Sequence, residues 1–453
     1  MAIISISDSQ VNGADQILVA DGSSKIPAKD GSQITVLNAT NISSGTIASA
    51  RLDTGTTANK LVLLDGSGNL PAVDASLLTG IVAATISASD PTISTNPSGG
   101  VGTEWNNSTS GAMFICTDAT AGENVWKNVG AGSGNVQPFN FQGSTAGFVV
   151  GGYNWPSAAR LASIDEVSFS SDGNATDAGD LAGGNPGRSA TTNTCSATHL
   201  FNSGGYGPGN YTPNTADVIE SFSFATKGTM VDVGNLVHHI RGQGATGNID
   251  YGFVHGGYRA VSDPSGPAQA YNVIWRYAHV SSGNATDVGD LLNNADNPGA
   301  NSDPNNSYGY SAGGCCPTNT IQRYAMVSSG NAVDVGDLTV SYHGPASSSS
   351  VTHGYRSGNS HGTPHTKTID KFAFAASANA TDVGDLLNPY SAATGVTSTT
   401  NGYSAGGNWS GGPYGQAGSI NIDKYNFSSD GNSTNVGNLT TNRVTMGSVG
   451  GQH

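Results

Sequence analysis

The sequence predicts an all-β chain in three parts: an N-terminal oligomeric fibre segment, a small β-module and a C-terminal six-bladed β-propeller. Three observations predict it. One phrase recurs six times: ATDAGDL, MVDVGNL, ATDVGDL, AVDVGDL, ATDVGDL and STNVGNL end at Leu181, Leu236, Leu291, Leu338, Leu386 and Leu439. The steps between those leucines are 55, 55, 47, 48 and 53 residues, and a repeat of about 40 to 50 residues built from short strands marks a propeller blade. A different repeat, offset by 44 residues, precedes the blades. Finally, only 11% of residues are charged while Gly alone numbers 64. A chain poor in Glu and Lys but rich in Thr, Val, Tyr, Asn and Gly favours strands and tight turns.

The first part covers residues 1–86. ADQILVADGSSKIPAKD begins at Ala14 and ANKLVLLDGSGNLPAVD at Ala58. The offset superposes Ile17 on Leu61, Asp21 on Asp65, Gly22 on Gly66, Pro27 on Pro71 and Asp30 on Asp74. Each unit has a short apolar run, a D-G-S turn and an apolar-Pro pair that ends the strand. Units this small cannot bury a core alone. Their apolar residues must pack against other copies of the chain, which predicts an elongated stalk, with a homotrimer as the expected closed form.

The second part, 87–135, reads as a small β-module. A strand reaching Trp105, the turn 107–111, a strand over 112–116 and another over 125–129 follow in order, and packing is the expected role of Trp105 and Trp126. Gly130 to Asn135 (GAGSGN) forms a hinge.

The third part, 136–453, holds the blades. In the fourth unit SYGYSAGG (307–314) is a strand ending in a double glycine, where a positive φ and close backbone approach are needed. A loop follows, then a strand over 321–327, a tight turn over 328–331 and a last strand over 332–338. The segment from His343 supplies the first strand of the next unit. The other units repeat the order, except that in the fifth Asn359 replaces the second glycine. The first unit lacks a defined first strand. The tail from Thr440 resembles one, so it is expected to slot beside the first blade and remove an open sheet edge.

Asp90 to Gly130 (DPTISTNPSGGVGTEWNNSTSGAMFICTDATAGENVWKNVG) resembles a module of tail-fibre and other structural proteins of marine phages, cyanophages among them. NISSGTIASARL (41–52) followed by DASLLTGI (74–81) is similar to phage-fibre linking repeats. The blade phrase ending in GNATDVGDL is similar to repeats of kelch-like marine phage proteins. The resemblance implies a virion appendage with a kelch-like propeller, carried on a region that contacts other virion proteins.

Several chemistries are weighed against these residues. The pairs Asp177/Asp180, Asp287/Asp290, Asp334/Asp337 and Asp382/Asp385 could form Ca²⁺ sites. The second and sixth units carry Asp232/Asn235 and Asn435/Asn438 instead, which favours turn chemistry, so no metal or cofactor is expected. Glu occurs only at Glu104, Glu123, Glu166 and Glu220, a poor supply for a glycosidase pair. Ser170 to Asn174 superficially matches a sialidase box, but Gly is misplaced and no Trp follows. H-E-x-x-H is absent. No catalytic residue is assigned, and a polysaccharide depolymerase is the weakest reading. His238/His239 and His353, His361 and His365 read as loop residues without acid or Cys partners.

Cys116, Cys195, Cys315 and Cys316 show no metal-binding or redox spacing. A formal net charge of -15 offers no basic stripe for nucleic acid. The sequence contains no apolar stretch long enough to span a membrane and no signal-peptide pattern at its N-terminus.

What varies is the loop after the double glycine. It carries Tyr153 and Trp155; Tyr206 and Tyr211; Tyr258 and Tyr271; and Trp409 and Tyr414. Antiparallel strands put this loop on the face that bears the connections between blades. Aromatic rings there can stack on sugars while amides bond hydroxyls, and variable loops on a rigid scaffold suit recognition. The same rings could pack the loops down or contact another virion protein. The expected function is non-covalent attachment of the virion to a host glycan or outer-membrane component. A capsid or baseplate appendage is the alternative.

Overall fold

A computed structural model of the chain describes residues 84–129 and 142–452, apart from 156, 183–186, 208–216, 260–268, 304–307, 315–317, 360–365, 410–416 and 446–450. The 44-residue repeat and the stalk read from it lie outside the described residues, as do the hinge, Cys315, Cys316, His361 and His365. Among the described residues every regular element is a β-strand.

The small module is a four-stranded sheet of Thr85–Ser87, Glu104–Asn107, Met113–Asp118 and Val125–Val129. The first strand pairs in parallel with the second, an addition that its short TIS sequence did not announce. Phe114, Cys116 and Trp126 are its core. Trp105 meets Trp126 edge to face at 5.7 Å, so both tryptophans serve packing. Cys116 and Cys195 are both buried.

Six sheets follow, each built on four strands here called a to d, which come in chain order in sheets 2 to 6. Sheet 2 is Thr192–Cys195, His199–Ser203, Val218–Ser223 and Val231–Asn235; sheet 3 is Gly244–Gly247, Tyr251–His255, Val273–Ala278 and Thr286–Asp290. Sheet 4 is Gly299–Ser302, Tyr308–Ala312, Thr320–Ala325 and Val333–Asp337; sheet 5 is Ala346–Ser349, His353–Asn359, Thr366–Ala373 and Thr381–Asp385. Sheet 6 is Thr394–Thr397, Asn401–Ala405, Asn421–Asn426 and Thr434–Asn438. Sheet 1 has strands b to d at Ala146–Val150, Ser163–Ser168 and Thr176–Asp180, and its strand a is Gly451–Gln452 from the C-terminal end. The tail thus takes the slot expected for it.

Strand c explains why the sheets stack. Near its start it carries Ile164, Ile219, Ile274, Ile321, Ile369 or Ile422, and the next residue is Asp165, Glu220, Trp275, Gln322, Asp370 or Asp423; all twelve are buried. Neighbouring side chains on a strand point to opposite faces, so both faces of every sheet are covered. The leucines that end the repeated phrase are buried too.

Three devices join each sheet to the next. The first is aromatic: the strand-b ring of one sheet packs on rings of strand c, or just beyond it, in the following sheet. Phe148 meets Phe222, Phe201 meets Tyr277, Phe253 meets Tyr324, Tyr310 meets Phe372 and Tyr355 meets Tyr425. Tyr403 of sheet 6 stacks on Phe169 of sheet 1 at 5.2 Å.

The second device uses the phrase itself. In five copies the first Asp accepts a bond from the N–H of Gly two residues on, Asp287 from Gly289 at 3.1 Å for example. That local turn accounts for the repeated acid. Gly289 has φ +154°, and a Cβ there would lie 2.2 Å from the Gly330 carbonyl oxygen of the next sheet's turn. The turn's Asn closes the contact: the N–H of Asn235, Asp290, Asp337 and Asp385 donates to Asn284, Asn331, Asn379 and Asn432. Asn438 of sheet 6 donates to Asn174 of sheet 1 at 3.1 Å. Sheet 2 has Lys227-Gly228 in its turn, and there Gly228–Thr229 pairs in parallel with Gly179 and Asp180 instead.

The third device is the polar residue after the strand-c Ile. Glu220, Gln322, Asp370 and Asp423 accept the backbone N–H that follows the preceding sheet's last Leu, from Ala182, Leu292, Thr339 and Leu387. Asp165 accepts the same bond from Thr440, which follows sheet 6, at 2.7 Å. Trp275 cannot accept one, and it packs in the sheet 2–3 core.

Candidate binding site

The double glycine turns the chain out of strand b. Gly313 and Gly314 have φ +69° and +115°, and the Gly314 N–H donates to the Tyr342 carbonyl in the connection between sheets at 2.7 Å. The loops that follow lie against those connections. Tyr153 exchanges two backbone bonds with Val444, Tyr206 bridges Ser189, and Tyr258–Arg259 pairs with Ile240–Arg241. Asn408–Trp409 pairs with Tyr390–Ser391. Loops and connections therefore share one side, as strand direction required.

Tyr211 and Tyr414 lie outside the described residues, and Trp409 is described only in its backbone. The other five loop aromatics separate into two groups. Tyr271 serves packing: its hydroxyl accepts from Arg259 at 2.7 Å and its ring stacks on His238 at 5.5 Å. It packs beside the sheet 2–3 core.

Tyr153, Trp155 and Tyr206 come together. They line a cavity of about 270 Å³ with Arg160, Ser189, Ala190, Arg241 and Val444. Trp155 is 42% exposed and meets Tyr153 edge to face at 5.1 Å. The Tyr153–Asn154 segment pairs with Ala159–Arg160 as a short ribbon, which carries Arg160 back over the rings. Its Cζ lies 4.5 Å from the Tyr206 centroid and 6.0 Å from that of Tyr153. Arg241 lies 5.7 Å from Tyr206 and 4.8 Å from Tyr258. The result is a ladder, Tyr153, Arg160, Tyr206, Arg241, Tyr258, that crosses the loops after strand b of sheets 1, 2 and 3 and the connection after sheet 2. Cation–π contacts of this kind are worth about 0.5–1 kcal/mol each at exposed sites.

Partial burial draws the Arg160 pKa below its ordinary value, opposed by Tyr206 and Tyr153. From so high a starting point the guanidinium stays charged at neutral pH. The arginines escaped the sequence reading, which ranked loops by aromatic content. Their scarcity was the available signal, since Lys and Arg together number 17 in 453 residues.

Among the described residues no group of three or more His, Cys, Asp and Glu is placed to hold a metal ion. His239 faces Asp217 at 3.5 Å, and His353 bonds Thr352 at 2.8 Å. Glu166 bonds Lys227 and Glu220 pairs with buried Arg188. No family model matches the chain, and no curated protein matches it.

Proposed function

We propose that the six sheets close into a six-bladed kelch-like β-propeller, and that the protein is a virion appendage of the tail-fibre kind that attaches to a host surface. Support for closure comes from sheet 6, which contacts sheet 1 through all three devices: Tyr403 on Phe169, Asn438 on Asn174 and Thr440 on Asp165. The strand-a segments add to it. Each lies beside the next, and the strand at 451–452 lies beside both 394–397 and 192–195. On this reading the N-terminal region oligomerises and contacts other virion proteins, while the propeller performs non-covalent recognition.

One observation carries the recognition reading. Aromatic residues from separate loops converge on one partly open cavity whose walls also present arginine and serine groups. That combination of apolar surface with a few directed polar groups is the usual make-up of a ligand site. Fluorescently labelled full-length protein should bind marine cyanobacterial cells, and Trp155→Ala should cut that binding about tenfold, as expected for losing an aromatic anchor. A correctly folded protein that binds no such cells sinks the attachment role.

A further inference from the structure

We infer that the cavity selects sugars that carry a carboxylate, an inference that rests on the recognition reading above and specifies its ligand. The chain has 17 basic against 32 acidic residues, yet the described wall of this cavity holds Arg160 and Arg241 and no Asp or Glu. A general acidic surface repels an anionic ligand everywhere else, so a local reversal favours it here.

The ladder fixes how the arginines can be used. A guanidinium held over a tyrosine ring meets that ring with its face, and its N–H groups lie in the guanidinium plane, the geometry that can grip a carboxylate in two parallel bonds. Holding both arginines between rings also removes much of the entropy that a free side chain loses on binding. Buried Asp296 lies within electrostatic reach of Arg241, which lowers its pKa against the effect of burial, while Arg241 itself lines the cavity.

A free inorganic anion leaves the rest of the wall without a role. Trp155 and Tyr153 stand at right angles beside the arginines, with Trp155 partly exposed. An exposed indole offers a flat surface to the C–H face of a sugar ring. A partly open cavity of about 270 Å³ suits one sugar ring and its carboxylate. Uronic and nonulosonic acids provide both halves.

The test uses full-length protein against oligogalacturonate, alginate oligomers and sialyllactose, each beside its methyl ester, with dextran sulfate as a charged control. Saturation-transfer NMR and calorimetry read binding, and thermal melts verify folding of every variant. At least one acid should bind, and its ester should bind about tenfold more weakly or worse, the loss expected for one charged hydrogen-bonded contact. Arg241→Gln and Arg160→Gln should abolish the acid-over-ester preference; Trp155→Ala should weaken acid and ester alike. An ester that binds as tightly as its acid, or a preference that survives both Gln variants, overturns the inference. Dextran sulfate binding that rivals the acids and ignores both variants overturns it as well. Protein that binds cells but none of these acids defeats the carboxylate inference alone, whereas protein that binds neither cells nor sugars defeats the recognition reading with it.

Discussion

Histidine shows how far burial resets single residues in this chain. His279 is 8% exposed and stacks on Phe201 at 4.6 Å, with Nε2 3.0 Å from the Thr194 hydroxyl. Desolvation lowers its pKa to about 4, and burial with the nearby Arg356 charge lowers that of His255 to about 3. Both are neutral in the folded protein at neutral pH. In the unfolded chain they take up protons near pH 6.5, so their contribution is fully present above that pH and is lost as pH falls through the folded values. The slope reaches about 1.4 kcal/mol per pH unit for each histidine. Asp296 works in the opposite sense: burial pushes its carboxyl up to about 6, a penalty that fades as acid protonates it. Urea denaturation of His279→Gln should therefore show a shallower loss of stability between pH 6.5 and 4 than wild type. Parallel curves would remove His279 from the acid response. None of this was legible in the sequence, where buried and exposed histidines look alike.

At the scale of elements, the repeated phrase proves to serve the contact between sheets more than its own strand. Its Leu enters the core, its first Asp folds the turn, and its Gly leaves room for the carbonyl of the next sheet's turn. Gly289→Ala would place a methyl against the Gly330 carbonyl at a φ that L residues rarely adopt. That combination should cost more than about 1 kcal/mol. Asn331→Ala removes only the acceptor for the Asp290 N–H, and the cost should stay near 1 kcal/mol. Chemical denaturation ranks the pair; equal midpoints would mean the clasp can open without loss. The strand order, turns and double glycines were readable because each has a local pattern. The polar residue after the strand-c Ile was not, because Asp, Glu and Gln share no type and Trp275 interrupts the set; what the polar ones share is a partner supplied by another sheet.

Across the whole molecule the weight falls on the junction between sheet 6 and sheet 1. Arg443, fully buried, donates to the carbonyls of Val149, Gly151 and Ser163 and pairs with Asp165 at 2.5 Å. Arg443→Met would leave Asp165 buried without its cation, a change that typically costs about 3–5 kcal/mol. Truncation after Leu439 would also remove the strand at 451–452. Calorimetry of Arg443→Met should give a markedly lower Tm, and of the truncated chain a lower one still. Unchanged melting would show that the junction adds nothing to stability. The number of repeated units, the strand content, the tail's place beside the first sheet and the loops that vary were readable along the chain, because those follow from periodicity, backbone preference and the need to cover an edge. Which of those loop residues meet was decided only by tertiary structure. Tyr153, Arg160, Tyr206, Arg241 and Tyr258 are neighbours because their sheets pack side by side, and a contact between charges and rings of different units leaves no periodic trace along the chain.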